Sequence, residues 1–127
     1  MLQQAVLVWG EIPVADMDRA VKFYQQHLGL TFRHESMEGM EMALIEQEDQ
    51  QGAGAALVKC DMMTPSMAGS LVYLHLGKPV SQAVARLEQG GIEVLLPPMP
   101  IKDGECGHIA IFKDCEGNKV GLWSMEA

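Results

Sequence analysis

The chain has 127 residues, 48% of them hydrophobic, and 17 acidic against 9 basic residues give a formal net charge of −8. That length and composition support one compact domain with a genuine core, expected over residues 1–127. The negative charge disfavours nucleic acid and anionic membrane surfaces, both polyanions, and no apolar run is long enough to cross a bilayer. A cationic ligand is compatible with it.

The opening Met1-Leu2-Gln3-Gln4 lacks the basic and apolar regions of a secretory signal, so a cytoplasmic protein is expected. Cys60, Cys106 and Cys115 are an odd number of cysteines, and their spacings match neither a zinc finger nor an iron–sulfur motif. They are expected to be reduced, with Cys115 in a turn the candidate for exposure.

Ala5 to Val14 is apolar and β-prone. Asp16 or Asp18 then supplies a helix start, because either carboxylate can cap free backbone amides. Ala20, Phe23, Tyr24 and Leu28 recur at helical spacing through Arg19–Leu28, and Gly29 is a natural terminator. Strand character returns at Leu30–Glu35. After a turn at Gly39, Met40, Met42 and Leu44 alternate with Glu41, Ala43 and Ile45. Gln47–Gly52 is a polar loop, and Gly54–Lys59 is a short strand. Met62–Gly69 breaks the pattern at Pro65 and Gly69 and connects two halves.

The order then repeats. Ser70–Leu76 is a strand, Pro79 opens a helix whose stripe is Val80, Ala83, Val84 and Leu87, and Gly90-Gly91 ends it. Ile92–Leu96 is a strand followed by a stiff Pro97-Pro98-Met99-Pro100 segment. Gly107–Lys113 and Asn118–Ser124 are the last strands, joined by a turn at Asp114–Gly117. The predicted class is α+β, with two βαβββ modules over roughly residues 5–61 and 70–125. One curved sheet cannot cover its own apolar face, whereas two helices and a second sheet can.

Two signatures carry a resemblance. One is Glu11-Ile12-Pro13-Val14-Ala15-Asp16-Met17-Asp18-Arg19-Ala20, continuing to Phe23-Tyr24 and Leu28-Gly29. The other is Gly107-His108-Ile109-Ala110-Ile111-Phe112-Lys113-Asp114, then Glu116-Gly117-Asn118 and Leu122-Trp123. With the repeated element order, the chain resembles the vicinal oxygen chelate superfamily, the glyoxalase/bleomycin-resistance/dioxygenase fold. The resemblance implies two modules whose sheets curl around a groove, and a homodimer. It also marks two departures: Cys115 stands where the family usually has proline, and Gly121 where it usually has a metal-binding glutamate.

Carried over by motif, the other groove positions that hold metal in the family fall on Trp9, near Leu71, and near Leu57 or Val58. None of these side chains ligates a divalent ion, which needs several converging N, O or S donors. The expectation is a ligand-poor branch with no metal and no cofactor, although a relocated site built from His75, His108 and a carboxylate is an alternative.

The two-residue period of a strand puts Trp9 with Glu11, Leu71 with Tyr73 and His75, and Lys119 with Gly121 and Trp123 on groove faces. Gly121 is expected to open room there. Trp9, Glu11, Tyr73, His75, His108 and Trp123 are the candidate ligand-binding residues. The aromatic rings would stack on a flat or apolar molecule, Glu11 would oppose a cation, and His75 would exchange protons near neutral pH. Glu11 and His75 are also the candidate acid–base pair if the protein is an enzyme. Asp114, Glu116 and Asn118 are expected to fix a turn, and the methionines to pack or edge the groove. The favoured function is metal-independent binding of an aromatic or cationic small molecule. The alternatives are a lyase, isomerase or dioxygenase using a relocated metal or the Glu/His pair, and a protein-interaction or regulatory module.

Overall fold

The computed structural model describes residues 1–127. In chain order the elements are β1 (Trp9–Pro13), α1 (Met17–Leu28), β2 (Phe32–Met37), β3 (Met40–Ile45), β4 (Gly54–Lys59), β5 (Tyr73–Leu74), α2 (Val80–Gln89), β6 (Val94–Pro100), β7 (His108–Lys113) and β8 (Lys119–Ser124). Two four-stranded sheets have the orders β1-β4-β3-β2 and β5-β8-β7-β6. In each, the outer pair is parallel and the rest are antiparallel. The expected βαβββ repeat is therefore a repeat of sheet topology as well as of element order. No helix is long and apolar enough to cross a membrane.

Helix α1 begins where Asp16 accepts a hydrogen bond from the Arg19 amide, which resolves the choice between Asp16 and Asp18. It ends at Gly29, whose φ of 70° only glycine adopts freely. Helix α2 buries the expected Val80, Ala83, Val84 and Leu87. Pro79 sits at its N-cap with no side chain to offer, and the Ser124 hydroxyl accepts from the Val80 amide instead.

Both helices feed one core of 19 buried residues. Phe23 of α1 stacks on Phe112 of β7 at 6.2 Å between ring centroids, which joins the modules through apolar contact. A second, smaller cluster of Met42, Ala56 and Val58 lies on the opposite face of the first sheet, packed by Met63 from the connection between modules.

Polar groups tie the modules at one corner. Tyr24 donates to Asp114 at 2.6 Å, and the Asn118 amide donates to Pro13 O at 2.7 Å. Glu116 accepts from the backbone of Ala15 and Asp16 at 2.8 and 2.9 Å, and pairs with Arg19 at 2.6 Å. The Asp114–Asn118 segment is thus a turn, as expected, and also a clasp on the first helix.

Several expectations need correction. The ladder starts at Trp9 rather than Ala5, leaving Val6, Leu7 and Val8 exposed. The fifth strand is only Tyr73–Leu74, at the edge of its sheet, so the predicted Ser70–Leu76 strand is longer than the segment that pairs. The Pro97–Pro100 stretch belongs to β6, where an edge position and two register shifts accommodate residues that lack an N–H. Cys106 is the exposed cysteine, whereas Cys115 is half-buried against α1.

Candidate functional site: the open face of the second sheet

The face of the second sheet turned away from the helices is built by strand parity. Ala110, Phe112, Val120 and Leu122 point into the core. Their neighbours Ile109, Ile111, Gly121 and Trp123 therefore share the other face. Across the strands, Tyr73 pairs with Gly121 and Gly121 with Ile111, while Trp123 pairs with Ile109 and Ile109 with Met99. The result is two rows of apolar and aromatic groups, with Tyr73 44% exposed.

Tyr73 does not leave Gly121 open. A Cβ built on Gly121 would fall 2.6 Å from Tyr73 Cε1, and closer still to Cδ1. The expected free space is therefore already occupied by the tyrosine ring. Trp9 covers its own partner Gly54 in the same manner, with a built Cβ 3.0 Å from its ring. Trp123 covers Gly107 and donates from Nε1 to Cys106 O at 2.8 Å. Glycine beneath each ring lets an aromatic side chain lie against the backbone of its neighbour.

His75 and Trp123 meet edge to face at 5.1 Å between centroids, so they belong to one site. His108 does not join them. It shares parity with Ala110 and Phe112, and its Nδ1 lies 3.2 Å from Met125 O. The remaining candidates disperse over separate cavities. Trp9 borders one of about 430 Å³ with Arg33 and the Gln47–Gly52 loop. Glu11 borders another of about 280 Å³ at the seam between modules. Tyr73 and His75 border a third of about 380 Å³ beside Leu7 and Gly10. No hydrogen bond joins Glu11 to His75.

Internal symmetry places the fourth groove position. Ile12 pairs with Leu57 and Leu74 with Leu122, and all four are core residues. The residue equivalent to Gly121 is therefore Ala56, while Leu57 points into the core. Neither Ala56 nor Gly121 carries a donor, and no three His, Cys, Asp or Glu side chains converge as a cation would require.

A family model for the Glyoxalase/Bleomycin resistance protein/Dioxygenase superfamily matches residues 5–122. The chain belongs to this superfamily. Among solved structures, UcmS2 is 23% identical with a TM-score of 0.68, covering 95% of this chain and 98% of its own. TnmS3, an antibiotic binding protein from Streptomyces sp. CB03234, is 21% identical with a TM-score of 0.66, covering 97% and 98%. The trypanothione-dependent glyoxalase I of Leishmania major is 16% identical with a TM-score of 0.68, covering 96% and 88%. At these identities the likeness establishes the superfamily fold. No curated protein matches the sequence significantly.

Charged groups near the superfamily turn are held firmly. Burial opposes ionisation of Glu116, but hydrogen bonds from Arg19, the Asp16 and Ala15 amides and Cys115 outweigh it and hold the carboxyl at about 2. Burial pushes the Cys115 thiol up to about 12, helped by the neighbouring Glu116 and Asp114. Burial likewise raises the Tyr24 hydroxyl well above its usual value, with the Asp114 charge and hydrogen bond adding to it. Sequence spacing signalled the turn but not the clasp, since Glu116 lies 101 positions from Ala15.

Proposed function

We propose that this protein binds a flat aromatic or apolar small molecule, cationic in preference, on the open face of its second sheet and without a metal. The observation that carries this is the Tyr73 ring seated over Gly121 beside Ile111 and Trp123. Where the family resemblance places a ligating carboxylate, this chain offers an aromatic surface. The separation of Glu11 from His75 into different cavities supports binding over acid–base chemistry by that pair. The net charge of −8 favours a cation in the surrounding field. The antibiotic-binding neighbour TnmS3 supports binding of a small molecule.

A homodimer belongs to the same proposal. Val6, Leu7 and Val8 are 67–78% exposed, and a second copy would cover them and wall the open sheet. A cytoplasmic setting accompanies it, resting on sequence alone.

Trp9→Phe leaves Trp123 as the sole tryptophan reporter. Titration of EDTA-treated Trp9→Phe protein with 9-aminoacridine, a planar cation, is expected to give saturable quenching. Neutral acridine should bind more weakly. Tyr73→Ala should weaken binding about 2–10-fold, the worth of one aromatic contact. Binding that EDTA abolishes, or that Tyr73→Ala leaves unchanged, contradicts the proposal.

A further inference from the structure

The seam between the modules carries a different arrangement of groups. Glu11 reaches it from β1 and Lys119 from β8, and both line one cavity of about 280 Å³. They do not neutralise each other: the molecule's ion pairs are Arg19–Glu116 and Arg33–Glu35, and the Glu11 side chain takes part in no hydrogen bond. Each is also unsatisfied within its own sheet. Glu11 sits across from Ala56, which offers no positive charge. Lys119 sits across from Lys113, and like charges facing each other across a strand pair are unfavourable. A half-buried carboxylate and the ammonium of Lys119 thus come from opposite modules to one cleft.

The cleft is built before any ligand arrives. Asn118 Oδ1 accepts from the Ser66 amide at 3.1 Å, which fixes the connecting segment as a roof, and Asn118 Nδ2 donates to Pro13 O at 2.7 Å, which fixes β1 as a wall. Met63 and Val72 supply apolar surface to the same cavity. Walls held in place before binding lower the ordering cost, and groups of both charges on the lining set the orientation of a ligand.

We propose that this seam is a second binding site, for a zwitterion of amino-acid size with an apolar side chain. Its ammonium faces Glu11, its carboxylate faces Lys119, and its side chain lies against Met63 and Val72. The carboxylate end also relieves the repulsion between Lys119 and Lys113. Lys119 shares a face with Gly121 by strand parity, so the site adjoins the aromatic face, but Tyr73, Ile111 and Trp123 do not line it, and its failure leaves the proposal for that face intact.

The test is titration of ¹⁵N-labelled protein with L-leucine, L-leucinamide and 4-methylpentanoate, followed by amide chemical shifts. L-Leucine is expected to give saturable shifts at Glu11, Ser66 and Lys119. Each singly charged analogue should bind about tenfold or more weakly, the scale of one charge-assisted hydrogen bond. Glu11→Gln should lose the preference for L-leucine over 4-methylpentanoate, and Lys119→Met the preference over L-leucinamide. Absence of saturable shifts at these residues overturns the proposal. So does equal or tighter binding of either analogue, or retention of both preferences in the two variants.

Discussion

The ring of Tyr73 fills the space that a side chain on Gly121 would need, and the two residues are direct partners across β5 and β8. Restoring a carboxylate at that position therefore meets a ring before it meets a metal. Gly121→Glu is expected to lower stability by about 1–3 kcal/mol, as overpacking does, without conferring zinc affinity, because Ala56 and Leu71 still offer no donors. Urea denaturation and zinc titration calorimetry check the two parts. Tyr73→Ala should recover much of the stability of Gly121→Glu, and a double variant no more stable than the single one would refute the steric account.

The ring–backbone contact of Trp123 with Gly107 concerns the loop between β6 and β7. Lys102 and Asp103 hold φ of 49° and 56°, a left-handed conformation that non-glycine residues resist. Trp123 steadies this loop by donating to Cys106 O. Trp123→Phe should remove about 0.5–1.5 kcal/mol, the net worth of one hydrogen bond. Amide exchange at Gly104 and Cys106 should speed up while the amides of β4 are unaffected. Uniform acceleration over the whole chain would point to general loss of packing instead.

Acid stability follows from Glu116. Its folded-state value of about 2 lies below the ordinary 4.5, so the folded state binds its proton later than the unfolded state does. The stability this contributes is fully present above about pH 4.5 and is lost as pH falls from there through about 2. Arg19, raised by its hydrogen bond and charge contact with Glu116, stays protonated throughout. Glu116→Gln is expected to unfold more easily near neutral pH and to converge on the parent only as pH falls below about 2, where Glu116 is protonated in the folded state as well. Thermal unfolding across this range measures it. Two curves that stay parallel would remove Glu116 as the titrating group.

What the sequence revealed follows the range of the interactions involved. A helix start at Asp16 or Asp18 and the stripe Val80, Ala83, Val84 and Leu87 were legible, because capping and helical periodicity act over a few residues. Strand parity likewise located the shared face of Tyr73, Gly121 and Trp123. Spacing could not reveal that Ser124 caps α2 or that Glu116 braces the start of α1, since those partners meet only after the modules close. Gly121 misled for the same reason. Glycine announces missing bulk, but only the β5–β8 register shows whose ring takes the place. The fifth strand was predicted too long because alternation over Ser70–Leu76 reports which face each residue takes and not which residues find a partner, and only Tyr73 and Leu74 pair.

The cysteines should separate by reactivity. Cys115 is half-buried beside α1, and burial followed by the hydrogen bond and charge of Glu116 pushes its thiol up to about 12. Arg19 pulls the other way but does not outweigh them. At pH 8 its thiolate fraction is on the order of one in ten thousand, and the thiolate is the reactive form. Cys106 is exposed in the loop that Trp123 steadies. Brief treatment of the native protein with iodoacetamide should therefore label Cys106 first and Cys115 only on unfolding, as read by peptide mass spectrometry. In Glu116→Gln, the thiol loses an anionic neighbour, so labelling of Cys115 should accelerate relative to the parent. Equal labelling of Cys106 and Cys115 in the native parent would show that the clasp between the turn and α1 opens faster than the thiol reacts.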